Sequence, residues 1–397
     1  MRKKKVLVAY YEMFTGGSTT SLLAFLNCID KNKYDVDLQL YHNKGILFGD
    51  IPEGVNILPD ASRYNGKLGE MVKVLNGVVT GTFFKAYIAN KKHNKKGFCG
   101  QILTTWQAKH LSEKSKVHYD YAIGFMEGWP DRYIAYSVDA DKKYGWMHNT
   151  FANIAAIPEL EIDWMKKVDK VIFVADNCTE DFCKAVPEMA DKAITVLNIT
   201  DSDIIKAKAK KDLSDDEAFS RFKSANCFKI ITACRISMYH KGLDRAVNCA
   251  KRLKEAGKNF LWMIVGGGEQ LNELNAMIDE AGVGDCMVTI GNRLNPHPFI
   301  AEADLFCMLS RYEGKPMVIT ESMILGVPAL VANYLSAHEQ IQNGVDGVIV
   351  DNVDDCGFDE LLHYIDNPED LVKLKDYLLA REYGNSEYMR EIEKELL

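Results

Sequence analysis

"DLFCMLSRYEGKPMVITESMILGVPAL", Asp304–Leu330, reads as strand, loop, helix, strand. The apolar run at its start is near-continuous, as in a strand buried on both faces of a parallel sheet. Pro316 suits a first helical turn, and MVITESMILG then reads as a helix closing at Gly326. Two glutamates, Glu313 and Glu321, stand with seven residues between them in this otherwise apolar stretch. Glu313 falls in the strand-exit loop. Glu321 falls about two turns into the helix, about 12 Å further on at 1.5 Å per residue.

The same alternation runs along the chain. KKVLVAYY, VDLQLY, YDYAIGFM, YGWMH, KVIFVA and AITVLN read as strands in the first half. FKIITA, FLWMIVGG, CMVTIG, DLFCMLS, PALVAN and GVIVD do so in the second. Helical stretches such as SLLAFLNCI, LDRAVNCAKRLKEAG and EQLNELNAMIDEAG lie between them. Strands alternating with helices imply an α/β protein of doubly wound parallel sheets. The series breaks at 199–226, a charged segment read as a linker plus one helix. The expected organisation is therefore residues 1–200 and 201–375 as two Rossmann-like domains facing a cleft. Residues 376–397 are expected to form a C-terminal helix returning to the first domain.

The 397 residues are 47% hydrophobic, enough for two full cores. Residues 1–200 carry 26 Lys/Arg against 23 Asp/Glu, while the whole chain has a net charge of −8, so the second half is the acidic one. The ten cysteines show no CxxC spacing and read as reduced thiols. The opening MRKKKVLVAYYEMF lacks the apolar core and cleavage site of a signal peptide. No stretch reaches the roughly 18 apolar residues of a membrane span. These features point to the cytoplasm. Lys85, Lys91, Lys92, Lys95, Lys96, Lys109, Lys114 and Lys116 accompany a single acid, Glu113, with aromatic residues interleaved. Such a stretch suits an anionic membrane surface or a solvated helix face, and both readings stand. The acidic balance and the absence of a recognisable module argue against nucleic acid.

Ligands of open α/β sheets bind beyond the carboxyl ends of strands, at helix N-termini whose free N–H groups and dipole attract anions. Backbone amides of Gly314, Lys315, Met317 and Val318 meet that description. Arg235 and Lys241 follow the FKIITA strand in ITACRISMYHKGLDRAV. Arg offers a planar fork to phosphate and Lys a compact charge. Basic loop residues are usually just solvated; these stand at a strand exit in the same half as the glutamate pair. Carboxylates for hydroxyls on either side of an anion site fit a nucleotide sugar. VGGGEQ (265–270) is a wall of that site or a plain turn. Gly16 and Gly17 let a ligand approach the backbone after the first strand, with Ser18 as helix cap. This is not GxGxxG and gives no case for NAD. His148 ends a strand in the first half; a lone His is more often structural, and its strand-end position makes it a candidate sugar contact. Asp35/Asp37, Asp139/Asp141 and Asp201/Asp203 have DxD spacing but read as surface charges, the second pair lying ahead of the His148 strand. No metal site is expected.

These motifs resemble those of a family 4 retaining glycosyltransferase of the GT-B fold. The resemblance rests on "ACRISMYHKGLDRAV", "FLWMIVGGGEQLNEL", "VTIGNRLNPHPFIAEADLFCMLSRYEGKPMVITESMILGVPAL" and "IQNGVDGVIVD", with "TGGSTTSLLAFL" and "WMHN" in support. It implies that Glu313 contacts the donor sugar, Glu321 the ribose, and Arg235 and Lys241 the diphosphate. Amides around Gly314, Lys315, Met317 and Val318 would complete the anion site. Asn292, Arg293 and Leu294 would border the base, Gly16 and Gly17 the phosphates, and His148 the transferred sugar. It also implies a UDP-sugar donor and no bound metal or cofactor. The basic, aromatic 83–118 stretch adds the expectation of a glycan or lipid-linked acceptor in surface polysaccharide synthesis and of peripheral contact by a cytoplasmic protein with the inner face of the membrane. The chain departs from the pattern after GGGE, where a proline is missing, and at LNIT, where an NPID-like ending is usual. An epimerase of the same architecture and a non-catalytic binding subunit are the competing readings.

Overall fold

The computed structural model describes residues 2–64, 66–151, 154 and 156–397. The chain divides into two compact units, Met1–Asn198 with Met389–Leu397, and Ile199–Tyr388. Each is a Rossmann-like α/β domain around one parallel sheet.

The first sheet contains β1 (Lys4–Tyr10), β2 (Tyr34–Leu40), β3 (Val55–Ile57), β4 (His118–Gly124), β5 (Asp139–Met147), β6 (Lys170–Phe173) and β7 (Ala193–Thr195). Its order is β3-β2-β1-β4-β5-β6-β7, parallel throughout. β3 escapes a pattern reading because it is a short edge strand whose residues are largely solvated. Asp139 and Asp141 begin β5 rather than preceding it, and both carboxylates flank the exposed His118 ring, at 3.0 and 3.1 Å.

The second sheet contains β8 (Phe228–Ala233), β9 (Phe260–Val265), β10 (Met287–Thr289), β11 (Leu305–Met308), β12 (Ala329–Ala332) and β13 (Gly347–Val350). Its order is β10-β9-β8-β11-β12-β13, again all parallel. Alternate residues enter two cores. Ile230, Trp262 and Ile264 pack on one face, Ile231, Met263 and Val265 on the other. Full burial of each such aliphatic side chain is worth about 1.5–3 kcal/mol. This two-sided burial is why the strands read as unbroken apolar runs.

The segment expected to be a linker with one helix holds two, Ser202–Ala209 and Glu217–Ser224. Asp201 and Asp216 cap them by accepting bonds from the amides two and three residues on. At the other end, helix Pro368–Leu379 stays with the second unit, so the return begins at Met389 and not at residue 376. Helix Met389–Leu396 is tied within the first unit by Lys33 to Glu393 at 2.9 Å and by the Tyr144 hydroxyl to the Leu396 carbonyl at 2.6 Å. Among the described residues no helix is long and apolar enough to cross a membrane.

The basic stretch around residues 83–118 resolves into helices Thr82–Lys92 and Gly100–Trp106, preceded by Gly66–Val79, which the pattern did not reveal. Phe83 and Trp106 turn inward and meet at 5.7 Å. Leu68, Met71, Leu75, Val78, Val79 and Phe84 turn outward, with Val79 77% exposed.

Candidate active site

β8 and β11 are neighbours, registered at Leu305 with Ile230 and Phe306 with Ile231. The chain winds away from this pair in both directions, so their carboxyl ends form the topological switch point of the second sheet. Their exit loops are bound to one another. The Arg311 amide donates to the His240 carbonyl at 3.0 Å. The buried Arg311 guanidinium forks onto both Asp244 oxygens at 2.8 Å, and also bonds Asp354 and the Tyr239 carbonyl. Gly242 has φ +60°, and a Cβ there would stand 1.9 Å from the Leu309 carbonyl oxygen. No other residue fits that approach without displacing backbone.

Within this frame Lys241 Nζ stands 2.6 Å from Glu313 Oε1, with side-chain exposures of 18% and 10%. Arg235 is exposed, and among the described residues no hydrogen bond or ion pair engages its guanidinium. Burial pushes the Cys234 thiol up to about 12, while Lys241, Glu313 and Arg235 all act on it electrostatically. Burial also lowers His240, followed by the Lys241 charge, with Glu313 opposing and Arg235 adding. The three predicted charges thus converge on the same neighbours.

Helix Met317–Ile324 begins one residue later than expected. Pro316 is its N-cap, with an extended ψ of 116°, and its carbonyl accepts from Ile319 and from the Gln340 amide. Met317 and Val318 therefore open the helix, with no earlier turn for their amides to bond. The Ser336 hydroxyl donates to the Gly314 carbonyl, and Tyr334 holds Gln340, so segment 334–340 braces the loop from behind. Glu321 lies just over one turn into the helix rather than two. It is buried, and Oε2 stands 3.2 Å from His297 Nε2 without hydrogen-bond alignment, leaving that nitrogen without an aligned partner. His297 Nδ1 is set by Asn295 at 2.7 Å.

The remaining second-unit candidates divide. The Asn292 side chain packs at Gly267, and Leu294 is exposed. Arg293 turns its guanidinium to Asp216 at 3.0 Å and to the Ile290 carbonyl, which occupies it structurally. In VGGGEQ, a Cβ on Gly266 or Gly268 would collide with the Cys234 or Ile236 carbonyl oxygen, at 1.8 and 2.3 Å. Those glycines let the β9 exit lie against the β8 exit.

In the first unit Gly16 is the N-cap of helix Gly17–Cys28, and neither glycine has an atom near its would-be Cβ. Ser18 does not cap the helix; its hydroxyl is bonded to Tyr10 at 2.8 Å. His148 follows β5. Its amide donates to Glu127 at 2.9 Å, and its ring lies parallel to Trp146. Burial lowers its pKa to about 4, with Glu127 and the Phe125 carbonyl opposing, and Nε2 has no partner. The ring is therefore neutral at pH 7.

Sequence reasoning missed His297, Arg311 with Asp244, and Glu127. His297 lies far along the chain from Glu321, so no local pattern joins them. Arg311 was hidden as one more loop cation, although it directly follows a buried strand run.

Residues 215–378 match the family model of glycosyl transferases group 1. Similar curated proteins include the amylovoran biosynthesis glycosyltransferase AmsK of Erwinia amylovora, 27% identical over 30% of this chain and 31% of that one. A lipopolysaccharide core biosynthesis glycosyltransferase, LpsE of Rhizobium meliloti, is 28% identical over 32% and 36%. The chain thus aligns with only about a third of the length of each of these relatives. Solved structures extend the likeness to the whole fold. Anabaena Alr3699/HepE in complex with UDP-glucose aligns over 98% of both chains, at TM-score 0.67 and 15% identity. S. aureus TarM, a mutant in complex with fondaparinux, α-GlcNAc-glycerol and UDP, aligns over 99% of both, at 0.68 and 14%. The fold is GT-B.

Proposed function

We propose that this chain is a retaining, metal-independent glycosyltransferase that moves a hexose from a UDP-sugar to a glycan or lipid-linked acceptor in surface polysaccharide synthesis. The observation that carries the reading is the convergence of Arg235, Lys241 and Glu313 at the adjoining exits of β8 and β11, beside the start of helix Met317–Ile324.

The diphosphate lies against the Met317 and Val318 amides, with Gly314 and Lys315 preceding them. Arg235 and Lys241 neutralise it. Lys241 then shares itself between Glu313 and phosphate, which frees a Glu313 oxygen for the hexose hydroxyls. The ribose hydroxyls bond Glu321 and satisfy His297 Nε2. Asn292 and Leu294 border the base; Arg293 does so through its backbone, since its side chain is committed to Asp216. Gly16 and Gly17 leave the backbone of the first unit open to a ligand, and the His148 ring there is neutral.

In the transfer step the bond from the anomeric carbon to the diphosphate oxygen breaks. A bond to the acceptor oxygen forms on the same face, and the acceptor proton passes to the leaving phosphate oxygen. Arg235, Lys241 and the helix start stabilise the charge that develops there. The outward apolar residues of Gly66–Val79, beside exposed Lys67, Lys85, Lys91, Lys92, Lys95 and Lys96, fit the surface of an anionic bilayer bearing the acceptor.

The test is a panel of UDP- and GDP-sugars, each assayed for hydrolysis and for transfer to alkyl glycosides. One donor consumed with retention at the anomeric carbon, in the presence of a metal chelator, is the expected result. A panel with no donor bound or consumed overturns the reading.

A further inference from the structure

Helix His297–Ala301 packs beside helix Met317–Ile324, with Phe299 and Ile300 of the one in the same core as Ile319 and Met323 of the other. That packing sets the His297 ring 3.2 Å from the Glu321 carboxylate, with both side chains buried.

The proton on the ring follows from its neighbours. The Asn295 amide nitrogen donates to the Lys208 carbonyl at 2.7 Å, so the Asn295 side-chain oxygen is the atom turned to His297. That oxygen accepts from His297 Nδ1 at 2.7 Å and from the His297 backbone amide at 3.3 Å. Nδ1 therefore carries a proton. Nε2 is enclosed and has no aligned hydrogen-bond partner, and its charged neighbour is Glu321 Oε2. Being enclosed, it acts on a ligand only through Glu321. A bare Nε2 would turn its lone pair onto that carboxylate, and two buried acceptors facing one another with no proton between them are unfavourable. A proton on Nε2 removes the conflict and gives the ring a charge opposite to that of Glu321. What the pair lacks is alignment. The last torsion of a glutamate side chain is broad, so a turn of the carboxylate supplies it.

We propose that His297 is a positioning residue for nucleotide binding, its Nε2 proton holding Glu321 Oε2 and leaving Oε1 to accept from a ribose hydroxyl. Ribose binding turns the carboxylate into line with Nε2, and in that way the nitrogen gains its partner. The proposal rests on the glycosyltransferase reading, in which Glu321 takes the ribose.

The experiment is calorimetry of UDP and of inorganic pyrophosphate on the full chain. It compares wild type, His297→Leu, His297→Gln, Glu321→Ala and the last combined with His297→Leu, each shown to fold by thermal melting. His297→Leu weakens UDP about tenfold, as expected for one charge-assisted hydrogen bond. His297→Gln, whose amide donates from a similar place, restores most of the loss. Pyrophosphate affinity holds in both, because the diphosphate does not touch Glu321. On the Glu321→Ala background His297→Leu has no further effect. Ring nitrogen NMR of the wild type needs no variant: Nε2 of His297 carries a proton in the UDP complex. Unchanged UDP affinity in His297→Leu, equal losses in the Leu and Gln variants, a parallel loss of pyrophosphate, additive effects with Glu321→Ala, or a bare Nε2 in the complex overturns the proposal. A wild type that binds no UDP contradicts the transferase reading itself, whereas any of those results with normal UDP binding by the wild type contradicts only the role of His297.

Discussion

Where β8 and β11 end, the loops are held by charge: Arg311 forks onto Asp244, and Lys241 meets Glu313. Where β1 and β2 end, they are held by stacked rings, Tyr11 on Tyr41 with Trp129 at its edge. Both regions are strand exits of parallel sheets, and the sheets share one topological plan. The difference lies in what the loops present. Directional ion pairs fix a few groups and leave Arg235 uncommitted, which suits a compact anion. Ring packing fixes the loop by shape and burial and leaves no charge uncommitted there. One scaffold thus holds its strand exits in two ways by changing loop chemistry alone.

The comparison breaks if charge in the first unit also governs turnover. The first unit has a fully buried ion pair, Arg132 with Glu161, and Glu161 also accepts from Trp164 and Gln101. Glu161→Ala strands the guanidinium and should cost about 3–5 kcal/mol in urea unfolding. Activity per folded molecule should hold. The mirror case is Lys241→Ala, which should lower kcat about 10²–10³-fold in a donor-transfer assay while the fold survives. Near-normal kcat would remove Lys241 from the chemistry.

Acid sharpens the contrast, because His148 is a titrating group of the first unit whose pKa burial lowers. Its pKa lies at about 4 when folded, against 6.5 unperturbed. Between those values the unfolded chain takes a proton that the folded chain does not, so stability is lost as pH falls from 6.5 to 4. The loss reaches about 3 kcal/mol relative to His148→Gln, read from urea titrations at each pH. Parallel pH profiles for the two proteins would contradict the buried, neutral ring. The smallest effect concerns helix Gly66–Val79. Leu75→Ser with Val79→Ser, both at exposed positions, should lower flotation with anionic vesicles severalfold and leave melting unchanged. Undiminished flotation would move membrane contact elsewhere.

What the sequence made legible follows the same division. The expected apolar runs all became strands, and the central ones read as unbroken hydrophobicity because both their faces are buried. The placement of Glu313, Lys241 and Arg235 at strand exits was legible because a strand run locates its own exit loop. Val55–Ile57 was not, since an edge strand needs no apolar run. Helix Gly66–Val79 was passed over, although Leu68, Met71, Leu75 and Val78 recur at helical spacing. Arg293 was legible as a loop cation, but its tie to Asp216 depends on a helix the pattern merged into a linker.

The most direct test of the central claim is a crystal structure of the chain with UDP bound. The account predicts the diphosphate against the Met317 and Val318 amides, within hydrogen-bond reach of Arg235 and Lys241, with Glu321 on the ribose. A nucleotide seated elsewhere, with the Lys241–Glu313 contact undisturbed and Arg235 in solvent, would contradict it.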